Sequence, residues 1–365
     1  MRRYRNQVLA GLVFLALALI AVVVITGVDD LVENLADFPL WLFVPITALK
    51  LLNWALRYLE WRYFLGVIGV RTVWRNPALS TSLPQDAETP LITIRERDSV
   101  IVWLSALPLS ISPGKLAEVL KALVLKNITG TNITRSAPVI FMERLVDGLA
   151  VIVLAAVSML FIADTLNTGD ISVGYVRGVL LGTTLFLAAG IAVVQYRPLS
   201  LWLLDRAQGW PLLRRVESGL RTLYEASYDL LKLRHLLPTT LIGIAAYLTD
   251  CLGFYLLLTG LDITGTWTLL GQATFILGFA VVVAALSAMP GGAGGRELTV
   301  GAMLTGVVGL SKADAGTATF LVSIFQVWLG VLLGLGIIAV FRNTLFPPAL
   351  EDLIAEYESA AQSHP

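Results

Sequence analysis

The chain has 365 residues, 56% of them hydrophobic and 14% charged, with a mean hydropathy of +0.78. Soluble domains carry about a quarter charged residues, so this composition excludes that class and predicts an all-α polytopic membrane protein. A net charge of zero, with Lys and Arg confined to short loops, excludes nucleic acid as a partner, while one cysteine and two histidines leave no internal disulfide, no His/Cys metal cluster and no expected cofactor.

In chain order, Arg2, Arg3 and Arg5 precede an apolar run at 8–27. It is long enough to span at about 20 residues, and acidic Asp29 and Asp30 follow it instead of a small-residue cleavage site. An uncleaved first span is expected rather than a signal peptide. A second span is predicted at 38–58, and 72–98 reads as a hydrophilic cytoplasmic insert. The apolar stretch 99–126 is then broken by Ser112-Pro113-Gly114-Lys115-Leu116-Ala117-Glu118. Spans follow at 136–163 and 176–195. Residues 199–235 alternate Leu and Trp with charged residues, which suits short amphipathic helices on the cytoplasmic leaflet or an ordinary basic loop. After a span at 237–259, a second broken stretch, 267–311, carries Pro290-Gly291-Gly292-Ala293-Gly294-Gly295-Arg296-Glu297. The last span is 315–341, and 343–365 is a short cytoplasmic tail.

The distribution of Lys and Arg sets the orientation. Basic residues gather at the N-terminus, after the second span (Arg62, Arg71, Arg75) and in the 196–236 loop (Arg197, Arg214, Arg234). Loops 28–37, 164–175 and 260–266 have no Lys or Arg and carry acids such as Asp29, Asp164 and Asp262. This alternation holds if each Pro-Gly stretch enters and leaves on one side. The expected architecture is therefore six transmembrane helices plus two re-entrant helical hairpins, with both termini cytoplasmic. Each unit (about 1–163 and 176–342) has three crossings, so the second is inverted relative to the first. Pro113 lies 23 residues before the span at 136, and Pro290 lies 25 before the span at 315.

Ionisable residues within apolar segments are Lys50, Lys115, Glu118, Lys121, Glu143, Arg144, Asp147, Asp250, Arg296 and Glu297. Each costs roughly 2.5–3.5 kcal/mol at a span's centre, so they must pair, line a hydrated cavity or sit near an interface. Lys50, Asn53 and Arg57 share one helix face; for Lys50 and Asp250, ion pairing that fixes helix packing is the favoured reading. The hairpins carry more. Ser112 as N-cap and Pro113 at the first position predict a helix running through Lys126, its amino end aimed into the membrane beside Lys115. Free N–H groups and a cation suit a phosphate or carboxylate. Pro290, Gly291 and Gly292 allow close backbone approach, and Arg296 offers a bidentate fork. Glu118, Glu143 and Glu297 are expected to pair with these cations or with an ammonium group on the ligand. The stretch Gly291–Glu297 is not a phosphate-binding P-loop, because it lacks the Lys-Ser/Thr ending.

Three motifs carry a resemblance: Pro113-x-Lys115-x-Ala117-Glu118 with Lys121, Glu143-Arg144-Leu145-x-Asp147, and Met289-Pro290-Gly291-Gly292-Ala293-Gly294-Gly295-Arg296-Glu297. In order and spacing the chain resembles the transmembrane flippase-like domain of the lysylphosphatidylglycerol synthase family over most of residues 1–342. It departs at Lys115 and Lys121, where Arg is common, and at Ala117, where Gly is common. The resemblance implies a multi-pass protein of the inner or plasma membrane that moves a lipid with a polar, phosphate-bearing headgroup between leaflets. In that reading Lys115, Lys121 and Arg296 bind phosphate, and Arg144 and Asp147 brace the cavity wall. Bifunctional relatives continue into an aminoacyl-transferase domain, for which only about 20 tail residues remain here, so synthase activity is not implied and no enzyme is expected. Two other readings stay open: a secondary transporter of a small soluble anion, and a non-transporting membrane partner of a lipid- or glycan-modifying enzyme.

Overall fold

Inside a bilayer every backbone donor and acceptor needs an internal partner, which a helix supplies locally. In the computed structural model the apolar runs accordingly form helices. Residues 2–74, 92–111, 119–166, 217–287, 292 and 294–345 are described, with scattered positions between 174 and 202. The helices are α1 (Arg2–Thr26), α2 (Val28–Asp37), α3 (Phe43–Val67), α4 (Glu96–Ser105), α5 (Val119–Thr129), α6 (Ile133–Leu166), α7 (Glu217–Leu230), α8 (Leu233–Gly260), α9 (Trp267–Leu286), α10 (Gly295–Met303), α11 (Lys312–Ser323), α12 (Leu329–Val340) and α13 (Arg342–Leu345). Single 3-10 turns, Leu40–Leu42 and Leu107–Ile111, lead into α3 and follow α4. Wider π turns, Leu304–Val308 and Ile324–Trp328, end α10 and join α11 to α12.

Among the described residues four stretches are long and apolar enough to cross a membrane: Leu40–Val67, Leu233–Gly260, Trp267–Leu286 and Lys312–Val340. A fifth is reached if Leu15–Thr26 and Val28–Asp37, bent by 90°, count as one span. The bend falls at Gly27, whose φ of +91° suits a residue without Cβ. The acidic segment 28–37, expected as a loop, is thus the helix α2, tied to α11 through Asn34, which donates to Asp314 and Thr317.

The expectation of an all-α chain needs one correction. Strands β1 (Val70–Val73) and β2 (Ile92–Arg95) form a short parallel ladder, Val70 opposite Ile92, at the two ends of the hydrophilic insert. Four-residue strands carry too little pattern to be read locally, and here the partner is distant in sequence. Of the 199–235 region, α7 is the described part; it packs along α6 and buries Tyr224 and Leu230. Most of the expected span at 176–195 lies outside the described residues, as does the tail beyond 345. The start of the tail is not free, since Leu345 is fully buried and α13 touches α5.

Two apolar cores sit at opposite ends of the α3–α8 pair. One joins Ile46, Phe254 and Leu257 to Phe275 and Leu304; the other joins Trp61 and Phe64 to Leu125, Met142 and Leu230. Outward faces carry exposed Leu51, Leu52, Leu241, Leu332 and Val340, apolar surface of the kind that lipid covers.

The helix α9 ends at Leu286 and α10 begins at Gly295, on either side of the second Pro-Gly stretch. Gln272 Nε2, near the start of α9, donates to the Val307 carbonyl at 3.0 Å, whereas at the other end a Cβ on Gly292 would lie 2.5 Å from the Cβ of Ala284. Arms that meet at both ends run antiparallel, so α9 and α10 form a helical hairpin. Its arms are unequal: α9 has 20 residues and is itself long enough to cross, while α10 has nine before its π turn. In the first stretch α4 has 10 residues and α5 has 11, and the two helices touch. Neither reaches the roughly 20 residues that a crossing needs. The predicted helix start at Ser112, with Lys115 and Glu118, lies outside the described residues.

Candidate functional site

Between the two cores α3 carries a polar stripe. Lys50, Asn53, Arg57 and Glu60 fall three or four residues apart, hence on one face, over about 15 Å of helix. That face meets α6 and α8.

At one end, Lys50 Nζ donates to Asp250 Oδ1 at 3.0 Å. Asn53 Nδ2 donates to Asp250 Oδ2 at 3.1 Å and to the Ala246 carbonyl at 2.7 Å. Gln326, presented by the π turn in the last span, accepts from Arg296 Nη2 and donates weakly to the Asp250 carbonyl at 3.5 Å. A π turn adds one residue to a helical turn and often marks a functional position; here it brings an amide to the polar stripe. Arg296 is 7% exposed and sits in the first turn of α10, where the helix dipole disfavours a cation. Among the described residues no carboxylate pairs with it. Glu297, expected to meet a cation, instead caps its own helix: Oε2 accepts from Gly294 N–H at 2.7 Å and Oε1 from Ser323 Oγ at 3.2 Å. The capping pattern Gly294-x-x-Glu297 was visible in the sequence.

At the other end, Asp147 accepts from two guanidinium groups, Arg57 across the helix interface and Arg144 at 2.8 Å on its own helix. Arg57 also lies over the Tyr247 ring, 4.8 Å from its centroid. Lys121 Nζ contacts both oxygens of Glu143, at 2.9 and 2.8 Å, and stands 3.8 Å above the centre of the Trp61 ring. A carboxylate and an indole face are together a strong seat for an ammonium group. Glu60, 1% exposed, lies beside this cluster, and its Oε1 has no hydrogen-bond partner.

Of the residues expected to bind substrate, the structure gathers Lys121, Glu143, Arg144 and Asp147 at one end and places Arg296 at the other. Gly292 packs on α9, and Lys115, Glu118, Pro290 and Gly291 lie outside the described residues. Sequence reasoning missed Glu60, Gln326, Trp61 and Tyr247. A gap lined by Lys50, Thr249, Asp250, Phe325 and Gln326 has about 10 Å³ free, room for roughly one water molecule.

A family model described as the lysylphosphatidylglycerol synthase TM region matches residues 93–334. No curated protein matches the chain. The match begins at β2 and ends in α12, so Lys50, Arg57 and Glu60 of α3 precede it.

Proposed function

Because the chain belongs to the lysylphosphatidylglycerol synthase TM-region family, we propose that this multi-pass membrane protein carries a lipid with a phosphate-bearing headgroup from one leaflet to the other. Transport, rather than making or breaking of bonds, is the activity assigned. The headgroup slides along the α3 stripe while the acyl chains stay in the bilayer. Arg296 carries the reading: a buried guanidinium that, among the described residues, meets a neutral amide and no carboxylate is a cation still short of an anion. Its planar fork matches two oxygens of a phosphate. Lys121 supplies a second cation once Glu143 releases it.

The proposed architecture is six spans and two re-entrant hairpins in inverted units, with both termini in the cytoplasm of a cell bounded by this inner or plasma membrane. Packing supports it. The α3 helix and its counterpart in the second unit, α8, pack on each other; α4 of the first hairpin packs on α12, and α9 of the second packs on α6. Each hairpin thus leans on the third span of the other unit, as a two-fold axis in the membrane plane requires. Trp41 and Trp267, 68% and 85% exposed, begin helices on the same predicted side, where interfacial tryptophans belong. Since the gap beside Gln326 has room for roughly one water molecule, passage of a headgroup requires α3 and α8 to separate from the Gln326 face.

The test is reconstitution into vesicles of phosphatidylcholine with a fluorescent phosphatidylglycerol reporter. Wild-type protein is expected to expose inner-leaflet reporter to an external quencher, and Arg296→Ala to slow this at least tenfold. Equal rates in both, or uptake of soluble phosphate without reporter movement, would remove the lipid reading.

A further inference from the structure

Phosphate binding leaves one buried group of the site unused. Glu60 Oε1 has no hydrogen-bond partner, and among the described residues no ion pair reaches the side chain. Asp147 and Glu143 of α6 repel its charge, while Arg57 and Arg144 attract it. Both guanidinium groups are held by Asp147, and Lys121 is held by Glu143. Among the described residues the other neighbouring elements offer Glu60 no ion pair: α8 brings Tyr247 under Arg57 and His235 bonded to Tyr63. Glu96 of α4 is held by Tyr58 and Arg62, α7 brings Tyr224, and β1 brings exposed Arg71. An ionised carboxylate without donors costs several kcal/mol in such surroundings, and a proton is the smallest ligand that removes the cost. Among the described residues no three metal-ligating groups converge, which argues against a metal ion in that role.

We propose that Glu60 is the proton carrier of the transport cycle, loading and unloading H⁺ together with the anionic headgroup. The inference rests on the lipid-moving reading above. Five cations line the stripe (Lys50, Arg57, Lys121, Arg144, Arg296) against Glu143, Asp147, Asp250, Glu297 and Glu60. With Glu60 protonated the stripe carries one positive charge in excess, which a phosphodiester monoanion cancels. When the headgroup leaves, the Glu60 O–H bond breaks, H⁺ passes to water, and the carboxylate is met by Arg57 and Arg144, the guanidinium groups that attract it. Proton and lipid therefore cross together.

Infrared spectra of the full chain in lipid nanodiscs test the proton site without transport. Wild type is expected to show a protonated-carboxyl band that titrates with pH and is missing from Glu60→Gln; coinciding spectra overturn the proposal. In vesicles with the phosphatidylglycerol reporter, one-for-one coupling holds a leaflet ratio of about tenfold per unit of pH gradient. Glu60→Gln should bring that ratio to one, and Glu60→Asp should restore part of the response. A wild-type ratio that ignores pH, or follows sodium, overturns the coupling. A titrating band in a protein that moves no lipid supports the proton site and sinks the lipid reading instead.

Discussion

The two ends of the α3 stripe use the same side chains to opposite effect. Among the described residues around Arg57 and Lys121, these two and Arg144 meet carboxylates, and one acid, Glu60, is left over. Around Lys50, the one acid on the stripe is shared, and Arg296 is left with an amide. Buried ion pairs are poor evidence of function or of stability, because apolar residues of equal volume often serve as well. Unmatched groups at either end are different: they cost stability in the closed state and become useful only when a ligand or proton arrives.

The largest effect should come from breaking the matched end. Asp147→Ala removes the carboxylate shared by Arg57 and Arg144 and is expected to cost about 3–5 kcal/mol, seen as early thermal unfolding in nanodiscs. If that variant unfolds with wild type, the contrast between the two ends is lost. Next, Arg296→Ala should cost about 1–2 kcal/mol, one charged hydrogen bond, while abolishing most reporter movement; Arg296→Lys should not restore it, for want of the planar fork. Glu297→Ala should cost about 1 kcal/mol, the worth of a helix cap, measured by the same unfolding curve. A larger loss of transport than of stability there would give Glu297 a ligand role. The smallest shift belongs to the joint replacement Lys121→Met with Glu143→Leu. It should leave stability near wild type or above it, although Lys121→Met alone leaves Glu143 buried without its cation.

Much of the fold was legible because span length and apolar run are local. The expected spans at 237–259 and 315–341 lie within Leu233–Gly260 and, but for one residue, Lys312–Val340. The helix break within 267–311 was legible too, since Pro and Gly end a helix: α9 stops at Leu286 and α10 starts at Gly295. Glu60 was not. It lies two residues beyond the expected end of the second span at 58, outside the apolar segments whose charges were singled out; the helix in fact continues to Val67 and buries it. Gln326 carries no charge and drew no notice in an apolar run. Its role arises from a π turn, which depends on packing rather than on any residue signature.

The sequence by itself determined that this chain belongs in a membrane, where its apolar runs lie, and which charges fall within them. These follow from transfer free energies and helix periodicity, which act over a few turns. Tertiary structure decided which charge meets which. Lys50 finds Asp250 two hundred residues away, and it is the docking of α3 on α6 and α8 that leaves Glu60 and Arg296 without an ion-pair partner among the described residues. Coulomb forces depend on distances in space, and in this fold the decisive ones join segments far apart along the chain.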